Sequence, residues 1–506
     1  MTEFLDFFNK NYGFSKVPGI ALGRPQFQSV ETDVSVILPL SSLNKHGLIA
    51  GSTGTGKSRA LQLMAEVLAS QGVSVFLSDV KGDVSGFAAP NDAEKVRERS
   101  EQLKIDFSPK TFSTNYWSLS NRFIPLRLNL SDVSPVLISK LLQLNPTQES
   151  HLSMIFIFAK EKQIIINDFS DLLEVSEFLK ENPRESSGIS PQSIDVILRK
   201  ISVLLNEGID SLFGEPALET ADLLRPATIN VLNLSDVRKH ADMLSIVMSF
   251  VLYKLFNELH DIGDTQKPKA VFFIDEAHYL FENANPSLVQ LLVTILRQIR
   301  SKGIGVVFVT QNPNDIDDKI LGLLGTKIQF AMRVFAADDV KDLKAIAGAF
   351  PKSDFYALSD ELKTLAVGTG FVSALNPKGE LLSPVKTVFF PPQSFMDVLP
   401  DETLLSATDT ALVSKYSAKR PKTENATDRL SLSNLAKIKP RGLSLWEVEQ
   451  KIKMDREKQN PPAYVTVPRT VSKLSKSLLP ILLVLLVILL ILALAALIAM
   501  GKIRIG

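Results

Sequence analysis

The feature that most constrains the fold is Gly51-Ser52-Thr53-Gly54-Thr55-Gly56-Lys57-Ser58, set directly after the apolar run Leu48-Ile49-Ala50 and directly before Arg59–Leu68, a stretch of helical character. A strand, a glycine loop and a helix in that order turn successive backbone N–H groups toward one point, where the helix N terminus adds partial positive charge. The group suited to such a point is the phosphate chain of a nucleotide. Lys57 is placed to reach the β- and γ-phosphates, and the Ser58 hydroxyl to coordinate Mg²⁺. A plain glycine-rich turn is the structural alternative, and the apolar strand on one side and the helix on the other argue against it.

A second motif should supply the acids of such a site. Ala270-Val271-Phe272-Phe273-Ile274 is a fully apolar strand that runs into Asp275-Glu276-Ala277-His278. Asp275 is placed to hold Mg²⁺ through water, and Glu276 to polarise an attacking water, which points to hydrolysis beyond simple nucleotide binding. The next strand ends Val309-Thr310-Gln311-Asn312-Pro313, bringing Gln311 to the carboxyl edge of the sheet, where ligands of open α/β sheets bind. Gln311 is a candidate contact to the γ-phosphate or the attacking water. Asp79 ends the run Val73–Asp79 at the same edge. It could orient the metal shell or a basic partner, or serve as a structural cap; its position alone does not separate these roles.

Apolar runs alternate with helical stretches over the first 400 residues, the pattern of an α/β fold with a mainly parallel sheet covered by helices on both faces. Strands are expected at His46–Ala50, Val73–Asp79, Thr228–Leu234, Ala270–Asp275, Gly305–Thr310 and Lys327–Phe335. Helical periodicity dominates about 132–224, an inserted helical subdomain. The expected organisation is a short N-terminal segment 1–45, a nucleotide-binding domain 46–395, a basic linker 396–477, a membrane span 478–500 and a tail 501–506.

The span rests on Leu478–Met500, 23 residues without a charge. As a helix they would extend roughly 34 Å, against about 30 Å for a hydrocarbon core. This run contributes to the mean hydropathy of +0.12. Because only Gly501–Gly506 follow it and Met1–Lys10 lack the pattern of a signal peptide, the expectation is a single-pass tail anchor in the inner (cytoplasmic) membrane, with the large domain in the cytosol. The total charge of +1 is a cancellation: residues 401–477 carry +6, the tail +2 and residues 1–400 −7. Basic residues beside a membrane suit anionic lipid at about 1 kcal/mol each. The sequence has no cysteine, which removes disulfides, thiolate metal sites and Cys nucleophiles.

Five ordered blocks, LNKHGLIAGSTGTGKS, VFLSDVKGDVSG, FFIDEAHYLF, LRQIRSKGIGVVFVTQNPNDI and LGLLGTKIQFAMRVF, together resemble the HerA/FtsK group of ring-forming P-loop ATPases, in particular the bacterial HerA-like helicases, over about residues 14–395. The resemblance implies a RecA-like fold, a hexameric ring with ATP and Mg²⁺ between subunits, and translocation of duplex DNA. It also implies an arginine supplied in trans. Arg300 matches that arginine's place, with Arg297 and Arg333 as competitors and a helix-capping cation as the alternative for Arg300. Archaeal HerA proteins carry a full N-terminal β-barrel, for which 1–45 is too short; a reduced remnant is expected, and a nuclease or membrane-complex partner is a further expectation. The anchor lies outside the family pattern. The main reading is thus a membrane-anchored ATPase that moves DNA. The rivals are a motor acting on a polypeptide and an ATP-gated membrane scaffold.

Overall fold

A computed structural model describes residues 2–418 except 14–16, 29, 187, 207–211, 236–240, 283, 285 and 377. The expected membrane span 478–500, the expected tail 501–506 and most of the expected linker lie outside the described residues. Among the described residues no helix is long and apolar enough to cross a membrane.

The strands are β1 (Gly19–Phe27), β2 (Val30–Glu31), β3 (Val36–Pro39), β4 (Gly47–Ala50), β5 (Ser74–Asp79), β6 (Thr114–Ser118), β7 (Ile124–Pro125), β8 (Ile229–Asn233), β9 (Ala270–Ile274), β10 (Ile304–Thr310), β11 (Thr326–Phe330), β12 (Thr369–Ser373) and β13 (Val385–Phe389). They form one sheet in the order β2-β1-β13-β12-β11-β4-β10-β9-β5-β8-β6-β7, with β3 added on β1. From β11 to β7 every pairing is parallel. From β11 back to β2 every pairing is antiparallel. The α/β, mainly parallel architecture is therefore present, with an antiparallel wing that the sequence pattern did not indicate.

The central strands are apolar on both sides because both sides are covered. Phe76, Phe272, Ile274, Val306 and Phe308 face one core. Val75, Leu77, Val271, Phe273, Val307 and Val309 face the other. The helix Lys57–Ser70 buries Ala60, Leu61, Met64, Ala65 and Leu68 on the second side. On the first side lie the helices Ala241–Glu258 and Pro286–Ile299, with the helices of the insertion between β7 and β8. At roughly 1.5–3 kcal/mol per fully buried large apolar side chain, these two cores supply most of the drive to fold.

Two segments differ from the expected organisation. The N-terminal segment contributes strands β1, β2 and β3 to the sheet, and the helix Thr2–Tyr12 packs on it: Phe4 stacks on Phe27 at 5.0 Å, and the Tyr12 hydroxyl donates to Val372 O on β12 at 2.9 Å. Residues 401–417, assigned by composition to the linker, form the helices Asp401–Ala407 and Thr410–Ser417. Leu404, Leu412 and Tyr416 anchor them; Tyr416 packs edge-on against Trp117 of β6 and donates its hydroxyl to Asp222. A few well-placed apolar side chains suffice to dock short helices whose other residues are half-buried or exposed.

Candidate active site

The parallel register brings four strand ends to one edge of the sheet. Thr310 pairs with Ala50, Phe308 with Ile274, and Ser78 with Ile274. The segments leaving these strands therefore converge: Gly51–Ser58 after β4, Gln311 after β10, Asp275-Glu276 after β9 and Val80–Asp83 after β5.

The loop needs its glycines. Gly51 has φ +148°, and a Cβ there would fall 2.6 Å from Phe330 Cβ; Gly56 has φ +122° and lies against Gly368. The segments just after β11 and just before β12 hold the loop: Ser52 N donates to Ala331 O at 2.9 Å, Arg333 N to Ser52 Oγ at 2.8 Å and Gly368 N to Thr55 O at 2.9 Å. The helix Lys57–Ser70 starts without a side-chain cap, leaving first-turn N–H groups for an anion. Ser58 is in that first turn. Lys57 Nζ folds back onto the carbonyl oxygens of Gly51 and Ser52, and burial lowers its pKa to about 8.

Across from it lie the acids. Asp275 is 5% exposed, and its pKa is pushed up to about 7, first by burial and then by the charges of Glu276 and Asp79. Glu276 is 4% exposed and has a left-handed φ of +49°. For a non-glycine residue that conformation costs on the order of 1–3 kcal/mol and clusters at functional sites. Lys81 Nζ forms an ion pair with Glu276 Oε1, which Gln311 Nε2 also approaches at 3.5 Å. Glu276 Oε2 takes no hydrogen bond, although His278 Nδ1 stands 3.4 Å away. Gln311 accepts at Oε1 from Thr53 Oγ1 of the loop at 3.1 Å.

These residues fit a nucleotide with a divalent cation. The Lys57 ammonium is bonded to neutral carbonyl oxygens, Asp275 sits among like charges, and one Glu276 oxygen is buried without a hydrogen bond. A phosphate chain and a cation would relieve the first two together, and a water could occupy the third.

Asp79 is resolved as a cap: Gly82 N donates to its Oδ1 at 2.7 Å and Val84 N to its Oδ2 at 3.1 Å. Arg300 is not part of this cluster. It sits in a short turn, Arg300–Lys302, before β10, and bonds Asp264 at 2.8 Å. Seven residues of β10 separate it from Gln311, roughly 23 Å along the strand. Buried His46 fixes that end, its Nε2 donating to Leu296 O at 2.7 Å and its Nδ1 accepting from Val306 N at 3.0 Å. Arg297 is exposed on the last turn of the helix ending there. Arg333, by contrast, lies beside the loop of its own chain. Sequence reasoning passed over Lys81 and His278; the signal for Lys81 was a cation and a glycine just beyond a strand-end acid.

The pattern of the helicase HerA-like C-terminal family matches residues 25–450. The DNA double-strand break repair helicase HerA of Sulfurisphaera tokodaii is 23% identical over 314 residues, 60% of this chain and 58% of that protein. The protein of the same name from Saccharolobus solfataricus is 22% identical over 349 residues, 67% and 64% of the two chains. The chain thus spans about three fifths of the length of these relatives. Among solved structures, the bacterial conjugative coupling protein TrwBdeltaN70 in its unbound monoclinic form aligns with a TM-score of 0.50 at 13% identity, over 78% of this chain and 94% of that one. At that identity the likeness is one of fold.

Proposed function

The chain belongs to the helicase HerA-like C-terminal family, and from that premise we propose that it is a Mg²⁺-dependent ATP hydrolase that works as a hexameric ring, moving duplex DNA from a membrane-anchored position. The observation that carries hydrolysis is Glu276, buried, held in a strained backbone conformation and left with one unbonded carboxylate oxygen beside the phosphate loop. Support for DNA as the track comes from the curated relatives, whose name is that of a DNA double-strand break repair helicase. Support for the anchor is the uncharged run Leu478–Met500 with its basic approach.

The chain's own groups divide the work. Backbone N–H groups of residues 51–58 and the Lys57 ammonium hold the phosphates and spread the charge of the transferring phosphoryl group. Bound Mg²⁺, held by Ser58 and through water by Asp275, would supply further charge neutralisation. Glu276 Oε2 accepts a proton from the attacking water, and Gln311, between Thr53 and Glu276, reads the state of the phosphate end. Arg300 lies at the far edge of its own sheet and acts on the site of a neighbouring subunit.

The test compares the full-length chain with two variants. Lys57→Ala loses nucleotide binding, whereas Glu276→Gln binds ATP and loses turnover by roughly 10²–10⁴-fold. Turnover by Glu276→Gln equal to that of the parent refutes the assignment. Deleting residues 478–506 releases the protein from membranes; retention in the membrane fraction contradicts the anchor.

A further inference from the structure

The segment Asp79-Val80-Lys81-Gly82-Asp83 stands at the edge of the site, yet neither phosphate binding nor metal binding accounts for it. Its construction is specific. Both carboxylate oxygens of Asp79 accept backbone N–H groups, from Gly82 and Val84, and Gly82 has φ +80°, so the chain turns tightly as it leaves β5. Asp79 is fully buried, so the turn is fixed from inside the fold. Lys81 lies within that turn and pairs with Glu276, 195 residues further along the chain.

The two donors to Glu276 meet at one atom. Lys81 Nζ and Gln311 Nε2 both approach Oε1, and Oε2 has no hydrogen bond. A glutamate side chain has three rotatable bonds, and a base must hold its oxygen within a fraction of an ångström of the proton it takes. We propose that Lys81 is the positioning residue of Glu276: by fixing Oε1 it sets the carboxylate plane and leaves Oε2 as the oxygen that receives the attacking water. This rests on Glu276 being the water-polarising residue. The capped turn after β5 then serves to present one ammonium to one carboxylate.

A lysine that acts through Glu276 affects the chemical step and leaves nucleotide affinity alone. The experiment uses full-length chains carrying Lys81→Met, Lys81→Arg, Glu276→Gln and the double change Lys81→Met with Glu276→Gln. ATP turnover is measured with binding of a fluorescent ATP analogue as a second readout. Lys81→Met is expected to lower kcat by roughly 10–100-fold with KM and analogue affinity within about threefold, since misplacement of a base by an ångström costs that order of rate. Lys81→Arg, which keeps the charge, should recover most of the loss. In the Glu276→Gln background Lys81→Met should add nothing, because its effect passes through the missing carboxylate.

A raised KM with unchanged kcat would place Lys81 on the phosphates and overturn the proposal. So would an unchanged or increased kcat, or a further loss in the double variant. Equal turnover of the parent and Glu276→Gln overturns both assignments together, whereas a collapsed Glu276→Gln beside an intact Lys81→Met overturns that of Lys81 alone.

Discussion

Thr53 Oγ1 donates to Gln311 Oε1 at 3.1 Å, joining the glycine loop to the end of β10 across the mouth of the site. The other end of the Gln311 amide points toward Glu276, so one side chain touches both the glycine loop and the acid that follows β9. Just beyond it, Asn312 and Asn314 donate to the two oxygens of Asp342 at 2.9 and 2.8 Å, tying the same strand end to the helix Ala337–Gly348. Gln311→Ala should therefore lower kcat by about 10–100-fold while changing KM by no more than about threefold, as for a group used in the chemical step. Steady-state kinetics at several ATP concentrations decide this; a change confined to KM would make Gln311 a binding residue.

Asp275 gives the site a defined pH signature. Burial and neighbouring carboxylates raise its folded pKa to about 7 from an ordinary 3.8. A raised folded pKa means that the folded state holds the proton more tightly than the unfolded chain, so this contribution to stability is complete below about pH 4 and is lost as pH rises toward 7. In the nucleotide-free protein Asp275→Asn should remove that loss. The variant is expected to melt above the parent at pH 8, by a margin that shrinks steadily from about pH 7 to about pH 4, while its ATP turnover is abolished. Thermal unfolding at about pH 5 and pH 8 checks the first part and a turnover assay the second; a margin independent of pH would contradict the placement of the charge.

Arg300 calls for a mixing experiment. A site at one edge of the sheet and an arginine about 23 Å away at the other can cooperate only between subunits. Lys57→Ala and Arg300→Ala chains should each be inactive by at least about tenfold, and mixed rings should recover part of the activity through sites that pair an intact loop with an intact arginine. Arg300→Ala with normal turnover would leave it as a partner of Asp264 and a cation at the end of its helix.

The strong motifs were legible because their chemistry is local. Gly51–Ser58 declares its own backbone geometry, and Asp275-Glu276 follows a strand too apolar to be anything but central. The features that escaped were built from contacts distant in sequence. Strand β6, Thr114-Asn115-Tyr116-Trp117-Ser118, lacks the apolar run that marks its neighbours, and it is buried all the same. Its polar groups are satisfied from elsewhere: Asn230 Oδ1 accepts from Trp117 Nε1 at 3.0 Å, and Asp409 N donates to Asn115 Oδ1 at 3.2 Å. The pairing of Lys81 with Glu276 is of the same kind. Neither residue announces the other, and only the order β9-β5 within the sheet brings them together.

Coupling of ATP hydrolysis at this site to movement on duplex DNA is tested most directly by ATP turnover of the full-length chain, measured with and without duplex DNA across a range of salt. A motor on DNA gives a several-fold rise with duplex, weakening steeply as salt increases and absent from Glu276→Gln. Turnover indifferent to both duplex and single-stranded DNA at every salt concentration would contradict that coupling and turn attention to a polypeptide track.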